Sequence, residues 1–237
     1  MANILMVGKD LPESESLLKS FELQGHKVFA TANSDISLNN SNIFAFSWNK
    51  ASSISARTLL VQAESKLVNI DRVLIVFDAQ NYSTKYESER IEDYTQAIEN
   101  MVSGYAYFCQ TLLTRLAQKN DKITVGFYLK TVATKASMAL AKNANQTPCT
   151  NTVAIAQGAF EALAENFAVS LYQLSNVSVF LCQSDITNPL YNDERETGST
   201  LLSYFDAIDK MKNRMNAKAS CTWVKAGGKL GGFGLFK

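Results

Sequence analysis

The chain has 237 residues, 46% hydrophobic and 19% charged, with a formal net charge of +1. That balance can bury a sizeable core, and it excludes a basic nucleic-acid binder or a polybasic membrane-surface protein. The four cysteines (Cys109, Cys149, Cys182, Cys221) are scattered without a CxxC, and His26 is the single histidine, so a His/Cys metal site is not expected.

In chain order, apolar runs alternate with longer amphipathic segments. Asn3–Val7 reads as a strand, and Pro12–Leu23 as a helix with Pro in its first turn and Gly25 past its end. Lys27–Thr31 and Ile43–Phe46 are the next strands, and Ile54–Leu67 is a helix with Leu59, Leu60, Ala63 and Leu67 on one face. Arg72–Phe77 is a fourth strand, and 89–118 a long helix. Ile123–Leu129 is a fifth strand, followed by a helix over 151–174. Ser178–Cys182, a helix over 201–215 and the strand Cys221–Val224 complete the series. His26 falls in the turn between the first helix and second strand and reads as solvated.

Sustained strand–helix alternation predicts a single domain over 1–237, a doubly wound parallel sheet in an αβα sandwich. The segments 78–87, 134–150 and 184–198 are predicted loops. All follow strands, so they belong to the carboxyl edge of the sheet, where open α/β folds bind ligands. The apolar run Ile4–Val7 is too short for a signal peptide, and no run suits a membrane span, so the expectation is a soluble cytoplasmic protein. In 94–116 the apolar residues cover more than one stripe, and 153–171 is apolar or small nearly all round. Such helices need cover on both sides, which predicts a homo-oligomer, dimer or tetramer, packed through them.

The order and spacing of these segments resemble the short-chain dehydrogenase/reductase family along nearly the whole chain. PESESLLKSFELQGHKVFAT is similar to the family's first helix and second strand. NIDRVLIVFDAQ resembles its fourth strand and Asn-Asn-Ala-Gly turn, and ENMVSGYAYFCQTLLTRL its Asn-x-x-Gly helix. QGAFEALAENFAVSL looks like the helix after the Tyr-x-x-x-Lys motif, and ASCTWVKAGGKLGG like the C-terminal strand. The resemblance implies a Rossmann-like fold, a nicotinamide cofactor and an oligomer built on the two long helices.

The functional positions depart from that pattern. Of the family's three loop glycines only Gly8 remains, in a loop that also holds Asp10, Pro12 and Glu13. The Asn of Asn-x-x-Gly falls on Met101, the catalytic serine on Tyr128, the tyrosine on Val153 and the lysine on Gln157. Val153 cannot donate a proton, and Gln157 has no charge with which to lower a phenol's pKa. Glu13 and Glu15 put negative charge near where a helix N-terminus would receive a pyrophosphate. The resemblance therefore implies a pseudoenzyme with no expected cofactor, a structural or regulatory subunit, in a homo-oligomer or beside an active relative. Two other readings stand beside it. One is an atypical NAD(P)-dependent oxidoreductase with a displaced acid. The other is a small-ligand binder whose candidate cleft holds Asp78, Tyr82, Tyr128, Lys130 and Asp185.

Overall fold

The computed structural model describes residues 1–34, 42–87, 90–141, 147–211 and 217–230. The strands are β1 (Asn3–Leu11), β2 (Lys27–Ala32), β3 (Ile43–Ser47), β4 (Arg72–Asp78), β5 (Ile123–Lys130), β6 (Val177–Ser184) and β7 (Trp223–Lys225). They form one parallel sheet in the order β3-β2-β1-β4-β5-β6-β7. The helices are α1 (Glu15–Leu23), α2 (Ser53–Leu67), α3 (Ala79–Lys85), α4 (Tyr94–Ile98), α5 (Gly104–Gln118), α6 (Lys135–Ala141), α7 (Asn151–Tyr172), α8 (Glu194–Lys210) and α9 (Ala217–Ser220). This is the doubly wound Rossmann-like architecture that the alternation predicts.

Side-chain alternation along the strands splits the core in two. Leu5, Val7, Ile75, Phe77, Phe127 and Leu181 face α2, α5 and α7. Ile4, Met6, Leu74, Val76, Tyr128 and Phe180 face α1 and α8. Strands buried on both faces carry almost no polar residue, which is why their apolar runs were legible.

Several boundaries differ from the sequence reading. β1 does not stop at Val7. Gly8 adopts φ +102°, the register shifts between Met6 and Leu11, and Leu11 pairs again with Ala32. α1 begins at Glu15 rather than Pro12, behind a turn that holds Pro12 and Glu13. Glu13 is therefore not in the first helical turn. It accepts from Asn33 (3.1 Å), while Glu15 pairs with Lys19. Two expected loops contain helices, α3 and α6. α3 forms because Asp78 caps it, accepting from the Gln80 and Asn81 amides (3.1 Å each).

α8 starts at Glu194, seven residues before the expected 201, because Asp193 accepts from the Glu196 amide (2.9 Å). The expected helix over 89–118 starts after a 3₁₀ turn at Ile91–Asp93 and carries a π turn at Glu99–Ser103 between α4 and α5. Residue 89 and residues 212–215 of the expected helices lie outside the described residues. His26 is buried rather than solvated: its Nδ1 accepts from the Ala2 amide (3.1 Å) at the amino edge of the sheet. None of the four cysteines is in a disulfide, and Cys109, Cys149 and Cys182 are buried. Among the described residues no helix is long and apolar enough to cross a membrane, and no group of three His, Cys, Asp or Glu could hold a metal ion.

Candidate functional site

The carboxyl edge around β1 is filled by two buried lysines, one on each face of the sheet. On the α1/α8 face, register places Asp78 of β4 beside Lys130 of β5, and Lys130 beside Ser184 of β6. Lys9, from the irregular stretch of β1, reaches into this row. Its Nζ donates to Asp78 Oδ2 (2.6 Å) and to the Glu194 carboxylate in the first turn of α8. Lys130 Nζ lies 4.0 Å from the same Asp78 oxygen and 4.5 Å over the Tyr191 ring. Asp78 thus serves twice, through Oδ1 as the α3 cap and through Oδ2 as the anion between two ammonium groups.

Burial disfavours both ammonium ions, and their partners decide the outcome. For Lys9, burial lowers the pKa, but Asp78 and Glu194 outweigh it and the net shift is upward. For Lys130, burial lowers the pKa, Asp78 opposes this only in part, and the charge on Lys9 adds to the lowering.

On the opposite face Lys50, just after β3, holds the other half of the β1 end. Its Nζ donates to Asp10 Oδ2 (2.7 Å), to the Gly8 carbonyl (3.2 Å) and to the Tyr82 hydroxyl (3.2 Å). It also sits 5.3 Å, 5.6 Å and 5.9 Å from the ring centres of Trp48, Tyr82 and Tyr105. The hydroxyls of Tyr82 and Tyr105 are 3.1 Å apart, and Tyr105 donates onward to the Val76 carbonyl (2.8 Å). The polar chain therefore runs from Lys50 through both phenols to the β4 backbone. Burial opposes the Lys50 charge, but Tyr82 and Asp10 raise its pKa above the ordinary lysine value. Burial pushes the Tyr82 and Tyr105 phenols up.

Two glycines make this packing possible. A methyl group added at Gly8 would lie 2.1 Å from the Val76 carbonyl oxygen and 2.7 Å from the Tyr105 hydroxyl. One added at Gly104, the start of α5, would lie 2.6 Å from Lys50 Cβ. Gly104 is the glycine of the Asn-x-x-Gly resemblance, and here its bare Cα receives the lysine stem.

The candidate residues separate into four places. Asp78 and Lys130 share the Lys9 cluster. Tyr82 belongs to the Lys50 network on the other face. Tyr128 is 4% exposed inside the α1/α8 core, and burial pushes its phenol up. Asp185 is partly exposed and lines an open cleft of about 540 Å³ over the ends of β5 and β6. Gln80, Val132, Met138, Gln157 and Tyr191 line the same cleft. Val153 is buried in α7, and Gln157, one turn later, accepts from the Val132 amide (3.0 Å). Met101 is buried in the π turn. The sequence reading missed Lys9, Lys50 and Glu194, since a lysine in a loop looks like any solvated charge.

The sequence matches no protein-family model and no curated protein. The fold is that of solved short-chain dehydrogenases. A short chain dehydrogenase from Mycobacterium smegmatis superposes with TM-score 0.66 at 11% identity, covering 95% of this chain and 91% of that one. One from Bacillus anthracis gives TM-score 0.64 at 14% identity, with 94% of each chain covered. Serine dehydrogenase from Escherichia coli gives 0.60 at 14% identity, covering 94% and 96%. At these identities the likeness establishes the fold.

Proposed function

We propose that this chain is a divergent relative of the short-chain dehydrogenases that does not carry out their hydride transfer, and acts as a structural or regulatory subunit of an oligomer. The observation that carries this reading is the pair of internal lysine networks at the end of β1. A dinucleotide needs open backbone there: free N–H groups at a helix start, and glycines that let the pyrophosphate approach. Here the space beneath Gly8 is taken by Tyr105 and Val76, and Asp10, Lys9 and Lys50 close the rest with ion pairs. The residues present do not fit the cofactor. The aligned tyrosine and lysine positions, Val153 and Gln157, supply neither a proton donor nor a charge.

The oligomer rests on the outer faces of α4, α5 and α7. Tyr94, Tyr107, Ile155, Val169 and Tyr172 are exposed there. Between α5 and α7 runs an apolar groove of about 370 Å³, lined by residues that include Val102, Ala106 and Leu163. Exposed apolar surface of this kind favours association with a matching copy.

The direct test is turnover. Purified protein with NADPH or NADH and a panel of aldehydes and ketones should oxidise no cofactor above the protein-free blank. Steady oxidation would overturn the reading in favour of an atypical oxidoreductase.

The open cleft favours a second reading, a subunit that also binds a small polar molecule. Its size is that of an ordinary ligand site, and it sits at the carboxyl edge, meeting the Lys9 cluster only at Tyr191, whose ring lies against Lys130.

A further inference from the structure

The chemistry of the cleft lining selects a ligand class, an inference that rests on the second reading above. Its hydroxyl donors are largely spent within the protein. Thr131 donates to the Ser184 carbonyl (3.2 Å), Ser137 to the Thr134 carbonyl (3.0 Å), Tyr191 to the Thr131 carbonyl (2.9 Å), and Thr187 to Asp185. What these groups still offer a ligand is lone pairs. Among the described residues the lining contains no Lys, Arg or His, and Asp185 is its single charge.

Asp185 is an anion held ready but loosely paired. The amide and hydroxyl of Thr187 both donate to Oδ1, which fixes the carboxylate and holds its pKa below the usual range. Among the described residues Oδ2 has one cationic neighbour, Lys225 at 3.7 Å, whose side chain is 71% exposed. Such a solvated pair is weak and easily exchanged. Lys130, a buried amine packed against the cleft residue Tyr191, is occupied by Asp78 and the Tyr191 ring. The rest of the lining includes Val132, Ala133, Met138 and Ile186, an apolar bed suited to a hydrocarbon body.

We propose that this cleft binds a small primary amine carried on an apolar body, its ammonium seated on Asp185 in place of Lys225. A carboxylate or phosphate ligand would face Asp185 with no opposing cation in the described lining, at a repulsive cost.

Three probes with the same phenyl body test this: phenethylamine, phenethyl alcohol and phenylacetate, titrated into the full chain by calorimetry and saturation-transfer NMR. The expected order is amine, then alcohol, then acid, with the amine about fivefold tighter than the alcohol, the size of one exposed ion pair. Asp185→Asn keeps the Thr187 amide contact and should bring amine and alcohol to equal affinity. Ala133→Phe narrows the cleft without touching Asp185, and should weaken all three probes. Preference for phenylacetate would overturn the amine assignment while leaving the cleft as a ligand site. Binding of none of the probes, up to their solubility limits, would overturn both. Amine binding that survives Ala133→Phe would place the cation on an exposed carboxylate outside the cleft, and would also overturn the inference.

Discussion

Replacing Lys50 by methionine isolates what its charge does, because Met keeps most of the apolar stem. In the wild type the Lys50 ammonium is buried, pairs with Asp10 at 2.7 Å and is ringed by Trp48, Tyr82 and Tyr105. Removing one partner of a buried pair costs about 3–5 kcal/mol, since the other charge is left uncompensated. The Asp10 side chain retains 14% exposure and keeps the Thr31 hydroxyl as a donor at 2.5 Å, so the lower end applies. The lost cation–π contacts add on the order of 1 kcal/mol. Lys50→Met should therefore destabilise by about 3–4 kcal/mol. At roughly 2–4 °C per kcal/mol for a chain of this size, Tm should fall by about 6–16 °C.

Urea unfolding followed by circular dichroism reads the loss, and Asp10→Asn completes a double-mutant cycle. The two changes share one interaction, so the double variant should fall short of the sum by about 1–2 kcal/mol. A Lys50→Met cost under about 1 kcal/mol, additive with Asp10→Asn, would mean that the ammonium is solvated and the pair supports nothing. That result would refute the claim that the Lys50 ion pair closes the end of β1.

Gly104→Ala should destabilise by about 1–3 kcal/mol in the same assay, against the roughly 1 kcal/mol gain ordinary for a helical glycine, because the new methyl meets Lys50 at 2.6 Å. His26 gives an acid-side prediction. Burial, with the Arg72 guanidinium nearby, lowers its folded pKa, so below about pH 6.5 the unfolded chain takes up a proton that the folded one does not. Stability is then lost as pH falls through the unfolded value, and His26→Asn should lose less between pH 7.5 and 5.5 than the wild type by urea unfolding. Sedimentation velocity at micromolar concentration should show a dimer or tetramer that Ile155→Asp shifts toward monomer. A wild-type monomer would remove the oligomeric part of the proposal.

The sheet was legible because strands covered on both faces are apolar throughout, and the runs at β4, β5 and β6 could hardly be anything else. The helix starts were less so, although Asp78 and the Asp193–Glu196 pair are cap signals readable in the sequence. The lysine networks were not legible. Lys9 and Lys50 lie 41 positions apart on different strand ends, and only the parallel register brings Asp78, Gly8 and Tyr105 around them. Periodicity says where a chain is buried, and a lysine buried by long-range ion pairs leaves no periodic trace. Tyr128 illustrates the reverse. It ends an apolar strand beside Lys130, which suggested a cleft residue, yet alternation along β5 turns it into the α1/α8 core.

The central claim is that the end of β1 is closed to a dinucleotide, and titration of NADH and NADPH into the purified chain tests it most directly. Calorimetry with nicotinamide fluorescence should show no saturable binding at millimolar cofactor. Micromolar binding, weakened by a change at Gly8, would contradict the account, because the Lys9 and Lys50 networks would then have to open to admit the phosphates.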